Sequence, residues 1–386
     1  MTNNQNINNS NTKRQLAGTV VLQMIRILFG AVFVFSGFVK AIDPLGSTYK
    51  IEDYLRTFGG VFESMADYAF IIAIALSTIE LLIGLNLIFR VYLKYTKFLA
   101  LLFMIVMTPL TLYIAIKNPV TDCGCFGDAL VISNWATFIK NLVLITMIIL
   151  MLVYHKNYRS FLSMKVQHIV VVTFIAFGIL ISVFSYRHLP VFDFLPYKIG
   201  VNIPKAMVVP DNAPLDVYKT TFIYEKNGKQ KEFTLENYPK GDTSWVFVDQ
   251  KTEIITKGYK APIHDFSIMS SQFDDLTQQI LNTPGKTYLF IMYDLNETSV
   301  NGAREAEKIY QELLKSGNKC YALTGSSDAD VQKFKDKTDV TFTFWKTDPT
   351  TLKTMIRANP GLILLEKGTI KGKWNWRDFK RVGSGE

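Results

Sequence analysis

Two of the chain's three cysteines fall in one short run, Thr121-Asp122-Cys123-Gly124-Cys125-Phe126-Gly127-Asp128. Residues two apart can bring their Cα atoms within the roughly 4.4–6.8 Å that a disulfide requires, and Gly124 permits the tight bend between them. A ring that small is strained and readily reduced. It suits an element that cycles between dithiol and disulfide, whereas a stabilising staple is expected to close a longer loop. Cys123 and Cys125 are therefore the candidate redox pair. Asp122, Gly124, Phe126 and Gly127 shape the turn around them, and Asn141 lies within reach of the loop or of a neighbouring helix.

These thiols must be positioned by the long apolar runs on either side. Hydrophobic residues make up 49% of 386 residues, too many for one ordinary soluble domain, and the excess is concentrated in the first half. Five runs, 16–39, 68–89, 98–116, 135–154 and 169–185, are each about the length that crosses a roughly 30 Å hydrocarbon core. Counting from the cytoplasmic ends places Arg26 and Glu80 both on the order of 13–15 Å deep on antiparallel neighbours, so the two could pair. Gly30, Ser36, Gly37 and Gly84 suit close helix packing.

The net charge of +9 would suit nucleic acid, but in this half the basic residues sit at span ends, and no nucleic-acid partner is expected. Lys13 and Arg14, then Arg90, Lys94 and Lys97, then Lys156, Arg159 and Lys165 mark one side, which the positive-inside rule makes cytoplasmic. The opposite side receives the acidic segment 42–67, the cysteine loop and everything after Tyr186. The expected location is the inner (plasma) membrane, with a cytoplasmic N-terminus and a periplasmic C-terminal region, an oxidising compartment for the thiols.

The stretch from Arg26 to Gly46, R-I-L-F-G-A-V-F-V-F-S-G-F-V-K-A-I-D-P-L-G, resembles the first helix of the DoxX family of membrane proteins, and Glu80 with Gly84 resembles its second. The D-C-G-C-F-G-D segment followed by Lys140-Asn141 is similar to the branch containing the methylamine-utilisation MauE-type proteins. The resemblance implies a four-helix membrane bundle tied to periplasmic redox or disulfide chemistry, with a quinone as a possible cofactor. By it, Cys123 and Cys125 would be the thiol pair, and Arg26 and Glu80 the polar residues of the bundle.

After Tyr218 the pattern becomes soluble. Three short runs, 220–226, 231–235 and 245–248, are β-like, with a hairpin turn at Asn227-Gly228. Strand and helix then alternate from 287 to 374 in an order that resembles thioredoxin, with Asn359-Pro360 in the place of that fold's cis-proline. Where thioredoxin carries Cys-x-x-Cys, this chain reads Asp294-Leu295-Asn296-Glu297-Thr298-Ser299, so no thiol activity is expected there. Cys320, on an apolar strand, reads as structural, and no metal site is expected because no histidine stands near the cysteine pair.

The expected organisation is a disordered start over 1–15, a four-helix membrane domain over 16–155, a fifth span at 166–186, and an extended proline-marked linker over 187–217. A β-rich segment at 218–262 and a thioredoxin-like α/β domain at 263–386 complete it. The fold class is thus an α-helical membrane bundle followed by an external α/β domain. The leading functional expectation is thiol-disulfide exchange with a periplasmic or membrane redox partner, and the alternative is a non-catalytic scaffold whose α/β domain binds another protein.

Overall fold

The computed structural model describes residues 2–118, 123–154, 160–256 and 258–382. Its first half is helical: α1 (Thr2–Ile42), α2 (Pro44–Phe58), α3 (Ala69–Phe89), α4 (Leu93–Lys117), α5 (Asn134–Val153) and α6 (Met164–His188). Five stretches, Gly18–Ile42, Glu63–Phe89, Leu93–Lys117, Asn134–Val153 and Met164–His188, are long and apolar enough to cross a bilayer. Large apolar side chains such as Leu102, Ile105 and Val106 on α4 and Ile169, Val172 and Leu180 on α6 are exposed, as a lipid-facing surface requires. The chain is a multi-pass membrane protein. α1 runs back to Thr2, over a polar start for which disorder was expected. Once the apolar span is helical, each further residue extends a helix without having to nucleate one.

α1 and α3 pack backbone to backbone. A Cβ at Gly37 would come within 2.5 Å of the Leu81 nitrogen, and one at Gly84 within 2.5 Å of the Val34 nitrogen. α4 and α5 complete the bundle around Phe29, Phe33, Ile83, Leu87, Met104, Leu144 and Ile148. α6 lies outside this core, with Gly178 against Thr78 of α3. The acidic segment after α1 is a helix, α2, that sequence reading left without structure. Asp43 caps it by accepting from the Gly46 N–H at 2.9 Å, Pro44 fits its first turn, and Gly59 ends it at φ +64°.

The second half begins with α7 (Ile203–Ala206). A three-stranded antiparallel sheet follows, ordered β2-β1-β3, from β1 (Val217–Lys226), β2 (Lys229–Thr234) and β3 (Val246–Thr256). Asn227 and Gly228, at φ +52° and +74°, form the two-residue turn between β1 and β2. The C-terminal unit contains α8 (Thr277–Leu281), β4 (Lys286–Ile291), α9 (Val300–Lys315), β5 (Lys319–Thr324) and α10 (Asp328–Thr338). It ends with β6 (Phe344–Lys346), α11 (Pro349–Met355), β7 (Gly361–Glu366) and β8 (Thr369–Asn375).

Its five-stranded sheet is ordered β6-β5-β4-β7-β8, parallel through β6, β5 and β4 and antiparallel at β7 and β8. Alternate residues of β4 serve opposite cores. Leu289 and Ile291 pack with Ile203, Met355 and Ile363, while Phe290 packs with Ala303, Ala306 and Phe342. The segment 187–217 is not the extended linker that its prolines suggested: Leu195, Tyr197 and Ile203 are buried, the last two within the first of these cores. Burying those side chains outweighs the extended preference of the flanking prolines.

Candidate functional site

At one end of the bundle the cysteine loop, the exit of α1, the start of α2 and the C-terminal α/β unit converge. Gly124 at φ +65° and Gly127 at φ +53° bend the loop, and the Gly127 N–H donates to the Gly124 carbonyl at 3.0 Å. The bend sets Cys123 Sγ 3.1 Å from Cys125 Sγ, with both residues half-buried and in the free thiol form. Phe126 is buried, packs at 5.4 Å from Phe35, and carries Lys140 Nζ 4.5 Å above its ring. Asp122 lies outside the described residues.

The two thiols are not equivalent. The hydrogen bond with Cys123 holds the Cys125 thiol down at about 6 against the cost of burial, with the positive charges of Lys140 and Lys40 helping. The same hydrogen bond, together with burial, pushes the Cys123 thiol up. Of the two, Cys125 has the greater thiolate character and Cys123 holds its proton more tightly. Cys320 is half-buried on β5, where burial pushes its thiol up to about 12.

Glu80 and Arg26 are not brought together. Glu80 is paired with Lys40, whose Nζ donates to Oε1 at 2.7 Å and Oε2 at 2.9 Å, while Arg26 donates to the Gln23 side chain and to the Leu87 and Ile88 carbonyls of α3. Arg26 thereby sits two turns of α3 away from Glu80. Equal depth counted from the span ends does not bring the two together, because the contacts between α1 and α3 set a register in which residue 36 faces residue 80.

Ser36, which reads in sequence as a small packing residue, is part of the site. Its Oγ lies 2.7 Å from Glu80 Oε2 and 2.7 Å from the Cys125 carbonyl oxygen. One hydroxyl proton can serve only one of these acceptors at a time. Asn141 donates to Thr111 Oγ1 of α4 at 3.1 Å and also borders the cavity described next.

Beneath the thiols lies a cavity of about 150 Å³, with Phe33, Phe103, Met104 and Leu144 among its apolar walls and Lys40, Glu80, Lys140 and Asn141 among its polar groups. Cavities of that size take up a single benzene-sized ring. Among the described residues no group of three or more His, Cys, Asp or Glu side chains is placed to hold a metal ion.

Sequence reading missed the residue that ties this site to the α/β unit. Arg357, just after α11, is buried; its Nε donates to both Asp43 oxygens at 3.1 and 3.0 Å, and its Nη2 donates to Asp128 at 2.9 Å. Burial alone would lower its pKa, but the two carboxylates more than offset that and raise it. One guanidinium therefore binds the cap of α2 and the cysteine loop to the α/β unit. Beside it, the Tyr49 hydroxyl donates to the Tyr293 hydroxyl at 3.0 Å, linking α2 to the end of β4. Burial holds both phenols neutral, with Tyr293 pushed up to about 12.

The peptide before Pro360 is cis. Asn359 donates to the Asp294 carbonyl at 2.8 Å and accepts from Thr298 Oγ1 at 2.8 Å, so the proline lies beside the Asp294-to-Ser299 loop. That edge of the unit faces α2 across a cleft bordered by Tyr49, Glu297, Ser299 and Asn359.

Spans, free thiol pair and apolar cavity together define a multi-pass membrane protein with a thiol-bearing, mainly apolar chamber at one end of its bundle. Within that class, residues 18–154 match the family model described as methylamine utilisation protein MauE. Residues 218–257, which contain most of the three-stranded sheet, match a domain of unknown function (DUF8463). No curated protein sequence matches the chain.

Proposed function

We propose that the protein is a membrane thiol-disulfide redox component in which Cys123 and Cys125 exchange two electrons with a partner protein on the extracytoplasmic side of the plasma membrane. The basic residues at the opposite span ends support this sidedness. The observation that carries the reading is the 3.1 Å thiol pair, one member acidified, at the mouth of an apolar chamber.

In the exchange, the Cys125 thiolate attacks one sulfur of a partner disulfide, and the partner's other sulfur leaves as a thiolate. Cys123 gives up its proton and attacks Cys125 Sγ, forming the intramolecular disulfide and releasing the partner's second thiolate. The partner gains two electrons, the pair loses two, and every step is reversible. Lys140 and Lys40 stabilise the thiolate.

A quinone head group would be held in the chamber by Phe33, Phe103, Met104 and Leu144 together with Lys40 and Asn141. Such a group would supply a membrane-soluble two-electron couple for the dithiol. The C-terminal unit reads as a thioredoxin-like domain without its thiols. The parallel and antiparallel order of its sheet and the cis-proline beside the Asp294-to-Ser299 loop support this.

A second reading, an assembly scaffold with a structural Cys-Gly-Cys turn, is favoured by the absence of cysteine from that loop. Trapping separates the two. In native membranes Cys123→Ser should accumulate a reducible, partner-sized adduct on Cys125 that Cys125→Ser does not form. No adduct on either variant would leave the scaffold.

A further inference from the structure

At the loop end of α6 the chain makes an abrupt turn. Leu189, at φ +133° and ψ 160°, occupies backbone space that is normally reserved for glycine, and its side chain is held against the α/β core. A short strap follows, Pro190-Val191-Phe192-Asp193-Phe194-Leu195-Pro196, and its side chains divide between two sides. Asp193 accepts from Lys373 Nζ of β8 at 2.6 Å, Leu195 is buried, and Tyr197 just beyond is buried in the first core of the α/β unit. Phe192 and Phe194 alternate with these and are exposed, as is Val191.

The exposed side of the strap is level with the membrane. The Phe192 ring lies 6.2 Å from that of Phe38, which at roughly 1.5 Å per residue stands about 6 Å inside the end of the first span at Ile42. Phe35, one turn deeper on the same side of α1, is exposed, and so are Phe177, Leu180 and Phe184 on α6, the span that the strap leaves. The exposed rings of the strap therefore continue the lipid-facing surface of the spans. Aromatic side chains concentrate at that depth, where the ring leaves water and the backbone keeps it.

We propose that Val191, Phe192 and Phe194 insert into the adjacent leaflet, so that the strap anchors the α/β unit to the bilayer surface. The partner of this face is lipid, because the face is continuous with the surface that the spans already present to lipid. The strap thus works as a clamp, tied to the unit on one side through Asp193, Leu195 and Tyr197 and held by the leaflet on the other. With Arg357 it keeps the unit in place over the cysteine loop. The anchor stands apart from the dithiol chamber and does not depend on the redox reading.

The test is site-directed fluorescence on the full-length protein in phosphatidylcholine liposomes. Phe192→Cys and Phe194→Cys are made singly in a chain carrying Cys123→Ser, Cys125→Ser and Cys320→Ala, and each is labelled with a small polarity-sensitive dye. Leu102→Cys, exposed on α4 within a span, and Lys308→Cys, exposed on α9, give the lipid and water references. At 192 and 194 the emission should be blue-shifted toward the Leu102 reference, quenched by phosphatidylcholine bearing a nitroxide near the top of its acyl chain, and spared by iodide, since an anion does not enter hydrocarbon. The proposal is overturned if the two positions follow Lys308, with quenching by iodide and none by the nitroxide lipid. It is equally overturned if neither quencher acts, which would put a second copy or another protein on the strap.

Discussion

Replacing Arg357 with Met should loosen the cysteine loop without touching a thiol. The side chain is 7% exposed and is the common partner of Asp43 and Asp128, whose side chains are 17% and 28% exposed. Removing one member of a buried ion pair costs about 3–5 kcal/mol, because the remaining charge is left uncompensated. Here the remaining charges are two carboxylates held close together. Their partial exposure and Lys50 Nζ, 3.9 Å from Asp128, put the loss near the lower figure, about 3 kcal/mol. If that energy holds the loop against the α/β unit, opening becomes easier by roughly a hundredfold.

The assay is the initial rate of maleimide labelling of Cys125 at pH 7 in native membranes, which should rise by up to about two orders of magnitude. Adding Asp128→Asn to Arg357→Met removes the repulsion between the two carboxylates and should recover part of the protection, so the two changes should not be additive. A labelling rate within twofold of the parent, in a variant that still inserts and folds, would refute the idea that Arg357 restrains the loop.

Lys40→Met should destabilise the bundle by about 3–5 kcal/mol because it strands Glu80, whereas Lys40→Met with Glu80→Gln should recover most of that, as read by thermal unfolding in detergent. Equal damage in the two would argue against the pair. The rate of Cys125 alkylation should climb with pH to a midpoint near 6 and then level off, and Lys140→Gln should move that midpoint upward. Because folding lowers this pKa, its contribution to stability is complete above the free thiol value of about 8.5 and is lost as pH falls through about 6. Gly84→Val should prevent close packing of α1 on α3, since its Cβ would stand 2.5 Å from the Val34 nitrogen and 2.7 Å from the Gly30 oxygen; a variant with unchanged yield and melting would contradict this.

Hydrophobic length and turn chemistry are local signals, which is why the five spans, the hairpin at Asn227-Gly228 and most strands of the C-terminal unit could be read from the sequence. α2 was also locally written, in Asp43-Pro44 at its start and Gly59-Gly60 at its end, although its acidic residues equally suit a loop on the outer side of the spans. The partner of Glu80 was not readable in this way. Lys40 stands at a span end, where lysine is ordinary, and only the register of two packed helices brings it to Glu80, 40 residues further on. Arg357 is further out of reach, because its contact with Asp128 spans 229 residues and depends on how the α/β unit docks on the bundle. The thiols could be picked out by residue type and spacing, but the charges that tune them arrive through tertiary packing.

The most direct test is differential alkylation of Cys123 and Cys125 in membranes taken from cells and then challenged with oxidant or reductant. The account predicts that the pair moves reversibly and together between dithiol and disulfide, with Cys125 labelled first in the reduced state. A pair locked in one state under every condition, or a Cys123 that reacts ahead of Cys125, would contradict it.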